Sequence, residues 1–224
     1  MTYAHVVAPS RWQQWHDPYE DPTSYLSHRL LEVQRQTAMV FDSCPAGPIQ
    51  VLSICAGQGR DLIGVLATHP RARDVSARLI ELDEVNAAYA RESAHRLDLD
   101  NVEVVVGDAS VTDHYAGAVP ADLVMVCGVF GNISDRDIAR TISYLPSLCR
   151  PGARVVWTRH RRAPDVTPSL RASFERVGFV EEQFAAPEEF EYTVGTHRLE
   201  VAPGRYSPGR RLFTFLDSER KDDA

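Results

Sequence analysis

The stretch VLSICAGQGRDL, from Val51 to Leu62, decides the fold. Its first half is apolar, as a buried strand requires. Gly57 and Gly59 follow, and Arg60–Asp61–Leu62 opens a segment with helical spacing. The expectation is a strand, a tight turn and a helix in direct succession. Glycines at such a turn bring backbone N–H groups close to a ligand with no Cβ in the way. What occupies the turn is then the functional question.

Outward from this stretch the chain alternates. Strand-like segments at 49–55, 77–82, 102–108, 121–128 and 153–159 are separated by helical ones at 60–69, 84–97, 135–149 and 168–178. Strands alternating with helices of this length build a mostly parallel sheet covered on both faces. Upstream, Leu26, Leu30, Val33 and Thr37 follow helical spacing over 22–43, and CPAGP ends that helix. Downstream, FVEEQF (179–184) is strand-like. TVGTHRLEV (193–201) and RLFTF (211–215) read as late strands with a Pro/Gly loop between them, which predicts an antiparallel hairpin. The expected architecture is α/β, Rossmann-like and doubly wound, with a seven-stranded sheet. Residues 1–48 form a helical extension, 49–216 the main domain and 217–224 a disordered tail.

Lys and Arg number 24 against 31 Asp and Glu, for a formal net charge of −7. That surplus disfavours a nucleic-acid partner, which needs a concentrated positive field. No apolar run approaches the ~20 residues of a membrane span. MTYAHVVAPSRWQQWH lacks the basic-then-apolar pattern of a secretory signal, so the expected location is the cytoplasm. Cys44, Cys55, Cys127 and Cys149 include no CxxC pair, and zinc spacing is absent.

The turn lacks the Lys-Ser/Thr ending of a phosphate loop. A dinucleotide turn needs a third glycine where Leu62 stands, and Asp61 would repel a pyrophosphate. Glu81 closes the second strand, 22 residues after Gly59, where an acid can accept from ribose hydroxyls. Asp83 reads as the cap of the next helix. Asp108, in VVVGDAS, brings a further carboxylate to the third strand end, suited to the exocyclic amine of adenine.

With SICAGQGRD, IELD and GDAS in order, the chain resembles the class I S-adenosylmethionine-dependent methyltransferases over roughly 49–180. PADLVMVCGVFGNISDRDI and WTRHRRAPDVTPSLRASFERVGF are similar to a bacterial subgroup of them. The resemblance implies S-adenosylmethionine as cofactor and S-adenosylhomocysteine as product. Ser53, Cys55, Ala56, Gly57, Gln58 and Gly59 would lie along its methionine part. Glu81 and Leu82 would meet the ribose and Asp108 and Ala109 the adenine, with Cys127 and Gly128 bordering the methyl group. Ser53 stands where the family often has Asp, and Cys55 where it has Gly. Asp61 can supply the missing charge for the ammonium, and Arg29 can hold the carboxylate.

The acceptor side is read from residue types. Trp15, His16 and Tyr19 belong to an aromatic segment suited to a lid or to stacking on a flat substrate. Asn132 can orient an acceptor, and Arg159, in RHRR, can meet an anionic one. His160 and His197 are the general-base candidates. The fourth and fifth strand ends, Cys127–Gly128 and Thr158–Arg159, lack the acids of metal-assisted transfer, so no metal is expected. A small-molecule acceptor, with no nucleic acid and no membrane, is the expected partner; the sequence leaves monomer and homodimer open. Two other readings stay open: a nicotinamide-dependent oxidoreductase and a non-catalytic nucleoside-binding subunit.

Overall fold

The computed structural model describes residues 17–216. Seven strands form one sheet in the order β3-β2-β1-β4-β5-β7-β6. They are β1 (Ile49–Ile54), β2 (Val75–Glu81), β3 (Val102–Val106), β4 (Ala121–Val126), β5 (Cys149–His160), β6 (Phe179–Ala185) and β7 (Tyr192–Leu199). The first five are parallel; β7 runs antiparallel between β5 and β6. Helices α1 (Tyr25–Ser43), α2 (Arg60–Leu66) and α3 (Glu84–Arg96) cover one face, and α4 (Asp135–Tyr144) and α5 (Thr167–Arg176) the other.

Apolar alternation in the strands feeds both layers. Val51, Leu123, Met125 and Val156 meet Val33, Phe41 and Leu62 in one core, while Leu52, Val124, Val155 and Trp157 meet Ile138, Ile142 and Phe174 in the other. The extension is therefore built into the sheet's packing. The α1 amide of Gln36 joins it to β7, accepting from Thr196 Oγ1 at 2.6 Å and donating to the Val194 carbonyl at 3.3 Å. Ser24, Asp83 and Ser134 cap α1, α3 and α4 with their side-chain oxygens.

The sequence reading needs three corrections. The hairpin joins FVEEQF to TVGTHRL, not TVGTHRLEV to RLFTF. The 211–215 segment lies outside the sheet, because Leu212 and Phe213 bury themselves in the α4-side core and its backbone bonds to 110–112 instead. Helix α4 ends at Tyr144, ahead of Pro146, whose ring cannot continue an α-helix. Strand β5 consequently starts at Cys149, with a register shift against β4 that absorbs Pro151 and Gly152. The 217–224 tail lies outside the described residues.

Candidate active site

Between β1 and β4 the strand order reverses, and a crevice opens at the carboxyl ends of strands where crossovers part to opposite faces. A cavity of about 330 Å³ sits there. Most of the expected contacts line it: Cys55, Ala56, Gly57, Gln58 and Asp61 from the turn, Glu81 and Leu82 after β2, Asp108 and Ala109 after β3, Cys127 and Gly128 after β4, with Arg29 and Tyr19 from the N-terminal side.

The turn is built on glycine where it must be. Gly57 has φ +56° and Gly59 φ +69°; a Cβ on Gly59 would stand 2.8 Å from Ile63 and from Leu79. Cys55 also adopts the left-handed region, at φ +56°, a conformation glycine adopts at no steric cost. Gly59 caps α2 beneath the turn and does not line the cavity. Ser53 does not line it either. It is 2% exposed and one register step inside the tip of β1, paired with Leu79 and Met125.

Glu81 organises the centre. Gly57 N–H donates to Oε2 at 2.7 Å and Asp83 N–H to Oε1 at 2.8 Å. Burial pushes its carboxyl above the usual value, against the pull of these two backbone donors. A carboxylate carries about four acceptor positions, so two remain for hydroxyl donors. At one end of the cleft, Asp108 Oδ1 accepts from Ser110 N–H at 2.9 Å and Oδ2 from Arg211 at 3.1 Å. Burial opposes the charged form there, but the Ser110 and Arg211 hydrogen bonds prevail and hold the carboxyl below its usual value. At the other end, Arg29 Nη2 donates to Tyr19 Oη at 2.7 Å and lies close enough to Asp61 to attract it. Burial raises the Asp61 carboxyl, while Leu62 N–H and Arg29 pull the other way.

Several lining residues escaped sequence reasoning. Arg60 reaches Gln58 at 2.7 Å and Glu20 at 2.8 Å and stacks over Tyr19 and Tyr89, fastening the N-terminal segment to the turn. Asn86 is 1% exposed with its Nδ2 unpartnered. Phe215 arrives from the far end of the chain, and no local pattern signals it. Leu30 and Val33 add an apolar wall that the spacing of α1 did encode.

The acceptor-side candidates fare differently. His197 is fully buried in β7; Trp157 Nε1 donates to its Nδ1 at 3.0 Å, and Phe174 stacks on it at 4.4 Å. It is a core residue, and its assignment as a base is corrected on that ground. His160 ends β5 beside Gly131, with Arg159 Nη1 against its Nε2, and neither residue lines the cavity. Burial and the Arg159 charge lower the His160 pKa. Asn132 donates its Nδ2 to the Gly128 carbonyl at 2.7 Å, so it shapes the loop after β4 from outside the cavity wall. Trp15 and His16 lie outside the described residues.

The sequence profile of a family described as "Putative methyltransferase" matches residues 28–173, more than half of the chain. The chain belongs to this family. It is an S-adenosylmethionine-dependent methyltransferase, and S-adenosylmethionine is its cofactor. The fold agrees with solved methyltransferases. A magnesium protoporphyrin IX methyltransferase from Synechocystis PCC 6803 superposes with a TM-score of 0.63 at 13% identity, over 84% of this chain and 90% of that one. An O-methyltransferase family protein from Burkholderia thailandensis gives 0.58 at 17%, over 78% of this chain. The methyltransferase spans only 58% of that protein's length. The CurJ carbon methyltransferase gives 0.57 at 15%, over 77% of this chain and 54% of that one. No curated protein matches by sequence. The residues present fit the cofactor: a buried carboxylate with spare acceptor positions stands mid-cleft, flanked by a second acid and an Arg–Asp pair. Among the described residues no helix is long and apolar enough to cross a membrane.

Proposed function

We propose that the protein transfers a methyl group to a small-molecule acceptor without a metal ion. One observation carries the assignment of residues: the order of charges along the cleft. Asp108 follows β3, Glu81 closes β2 and the turn with Asp61 follows β1, in the sheet order β3-β2-β1, with Arg29 beside Asp61. This matches an amine, a pair of hydroxyls, an ammonium and a carboxylate in that sequence.

When bound, S-adenosylmethionine supplies a methyl group on a sulfonium, a good leaving group that needs no further activation. The chain's own residues bind and align. Glu81 accepts from the ribose hydroxyls, with Leu82 against the sugar. Asp108 accepts from the adenine amine beside Ala109. Asp61 takes over the role that the uncharged Ser53 cannot fill and meets the ammonium, while Arg29, braced by Tyr19, holds the carboxylate. Backbone of Cys55, Ala56, Gly57 and Gln58 lies along the methionine chain. Gly128, fixed by its N–H donation to Thr158 Oγ1 at 2.8 Å, leaves room for the acceptor to approach in line. Alignment of this kind can supply ~7–11 kcal/mol of a barrier. His160 stands beside the loop after β4. Tyr19 is the described residue we assign to acceptor contact, and Arg159, outside the cavity wall, is left without that role.

The small acceptor is supported by the net charge of −7, unsuited to a polyanion. Independence from metal is supported by Cys127–Gly128 and Thr158–Arg159 at the ends of β4 and β5, where no carboxylate stands. The test is S-adenosylhomocysteine release from S-adenosylmethionine over a panel of small hydroxyl, amine and carbon-acid acceptors, run with a chelator and beside RNA and DNA. Turnover of a small acceptor in the chelator is expected. Turnover only with an added divalent ion, or only with nucleic acid, would overturn the reading.

A further inference from the structure

After β7 the chain does not end at the sheet. Residues 205–216 run between α4 and the segment that follows Asp108. Tyr206 Oη donates to the Thr112 carbonyl at 2.8 Å, Thr112 N–H to the Arg210 carbonyl at 2.9 Å and Leu212 N–H to the Ser110 carbonyl at 2.8 Å. On the α4 side Thr214 N–H donates to Asp137 Oδ2 at 2.9 Å. The segment finishes at the loop after β4, where Leu216 N–H donates to the Asn132 carbonyl at 3.0 Å and Phe215 enters the cleft wall. With Leu212 and Phe213 buried beneath it, this strap is a fixed part of the fold.

The strap reaches the proposed base-reading acid through Arg211. The same Nη1 donates to Ser110 Oγ at 2.6 Å and to Asp108 Oδ2 at 3.1 Å. Asp108 Oδ1 is held separately, by Ser110 N–H at 2.9 Å. Each carboxylate oxygen therefore has a donor, and the plane of the group is set from both sides. The Ser110 hydroxyl also serves the carboxylate, which still keeps an acceptor position open. An ionised carboxylate has no donor of its own. Held still, it accepts from an amino group and repels an oxo group at the same place. Free to turn, it can avoid the oxo group, and the distinction weakens.

We propose that Arg211 is a positioning residue which, by fixing Asp108, makes the protein select a 6-amino purine over a 6-oxo purine in its cofactor. The inference rests on the reading that Asp108 faces the base. The strap lies beyond the matched residues 28–173, so this device belongs to the chain's own C-terminal segment.

The experiment is calorimetric titration of the full chain with S-adenosylhomocysteine and with S-inosylhomocysteine, for wild type, Arg211→Gln and Arg210→Gln. Wild type is expected to prefer the adenosyl ligand at least about tenfold, the worth of one hydrogen bond to a charged group. Arg211→Gln should shrink that preference to about twofold, mainly through a gain for the inosyl ligand. Arg210→Gln, on the same strap but without a side-chain contact to Asp108, should keep the wild-type ratio. Equal weakening of both ligands by Arg211→Gln, with the ratio preserved, would reduce Arg211 to a structural role and overturn the inference alone. Equal affinity of wild type for both ligands would remove the base-reading role of Asp108 and the inference with it. No binding of either ligand would overturn the cofactor cleft itself.

Discussion

The two halves of the sheet's carboxyl edge present similar chemistry and use it differently. Glu81 closes β2, Asp108 stands two residues past β3 and Asp61 lies in the helix after the β1 turn, and all three line a cavity. At β5 and β7, the imidazoles of His160 and His197 are absorbed by protein neighbours: one lies against Arg159 and Gly131, the other under Trp157 and Phe174. A polar residue at a strand tip enters the cleft where that tip borders it, as Glu81 does and His160 does not. One inside an antiparallel strand takes whatever its partner strands and covering helix provide.

Substitutions break this contrast in graded ways. The largest effect is expected from Glu81→Gln, which removes the charge that two ribose hydroxyls address. At about 1.5 kcal/mol or more for each charged hydrogen bond, S-adenosylhomocysteine affinity should fall roughly a hundredfold by calorimetry. A loss below about threefold would mean that Glu81 serves only the turn.

Asp61→Asn should cost roughly tenfold in the same titration. It should also flatten a pH dependence. Burial raises the Asp61 and Glu81 carboxyls, so each takes a proton at a higher pH than an ordinary acid. A protonated Asp61 no longer attracts an ammonium. Affinity in the wild type should therefore decline as pH falls toward the acid range, beginning above the ordinary carboxylate value. An Asp61→Asn profile as steep as wild type would assign the dependence to other groups.

His197→Leu tests the other half. Burial lowers the His197 pKa from 6.5 to about 4, so the folded protein holds it neutral while the unfolded chain binds a proton below 6.5. Its contribution is whole above pH 6.5 and is lost as pH falls toward 4, up to about 3 kcal/mol. Chemical denaturation of the variant should show a shallower acid decline, with ligand affinity unchanged. Loss of turnover at unchanged affinity would restore His197 as a catalytic candidate.

The smallest effect separates two left-handed positions of one turn. Cys55→Gly should leave stability within about 1 kcal/mol, because relief of the backbone offsets the added chain freedom. Gly59→Ala should cost about 2 kcal/mol, since its Cβ would meet Ile63 and Leu79 at 2.8 Å. Thermal melts of the pair distinguish them, and equal shifts would contradict the role given to Gly59.

How much of this was legible follows from how far each feature reaches along the chain. The strand–turn–helix, Glu81, Asp108, Asp61 and the cap at Asp83 are decided by neighbours a few residues away, and the sequence displays them. Arg29 was legible because α1 has clear periodicity. Ser53 was misjudged by one register step, which in a strand moves a side chain from the tip into the sheet. RLFTF has the alternation of a strand, but that pattern only states that one side is buried. The burying partner is α4, not a strand, and nothing local records it. Arg211 and Phe215 reach the cleft across about a hundred residues of chain for the same reason. Asn86 is hidden because a buried amide on a helix looks like any surface Asn until the cavity is seen.

The most direct test of the central claim is calorimetric titration of the full chain with S-adenosylhomocysteine and NAD, beside the double variant Glu81→Gln/Asp108→Ala. The account predicts micromolar binding of S-adenosylhomocysteine, none of NAD, and no measurable binding by the double variant at temperatures where it is folded. Preference for NAD, or undiminished S-adenosylhomocysteine binding by a folded double variant, would contradict it.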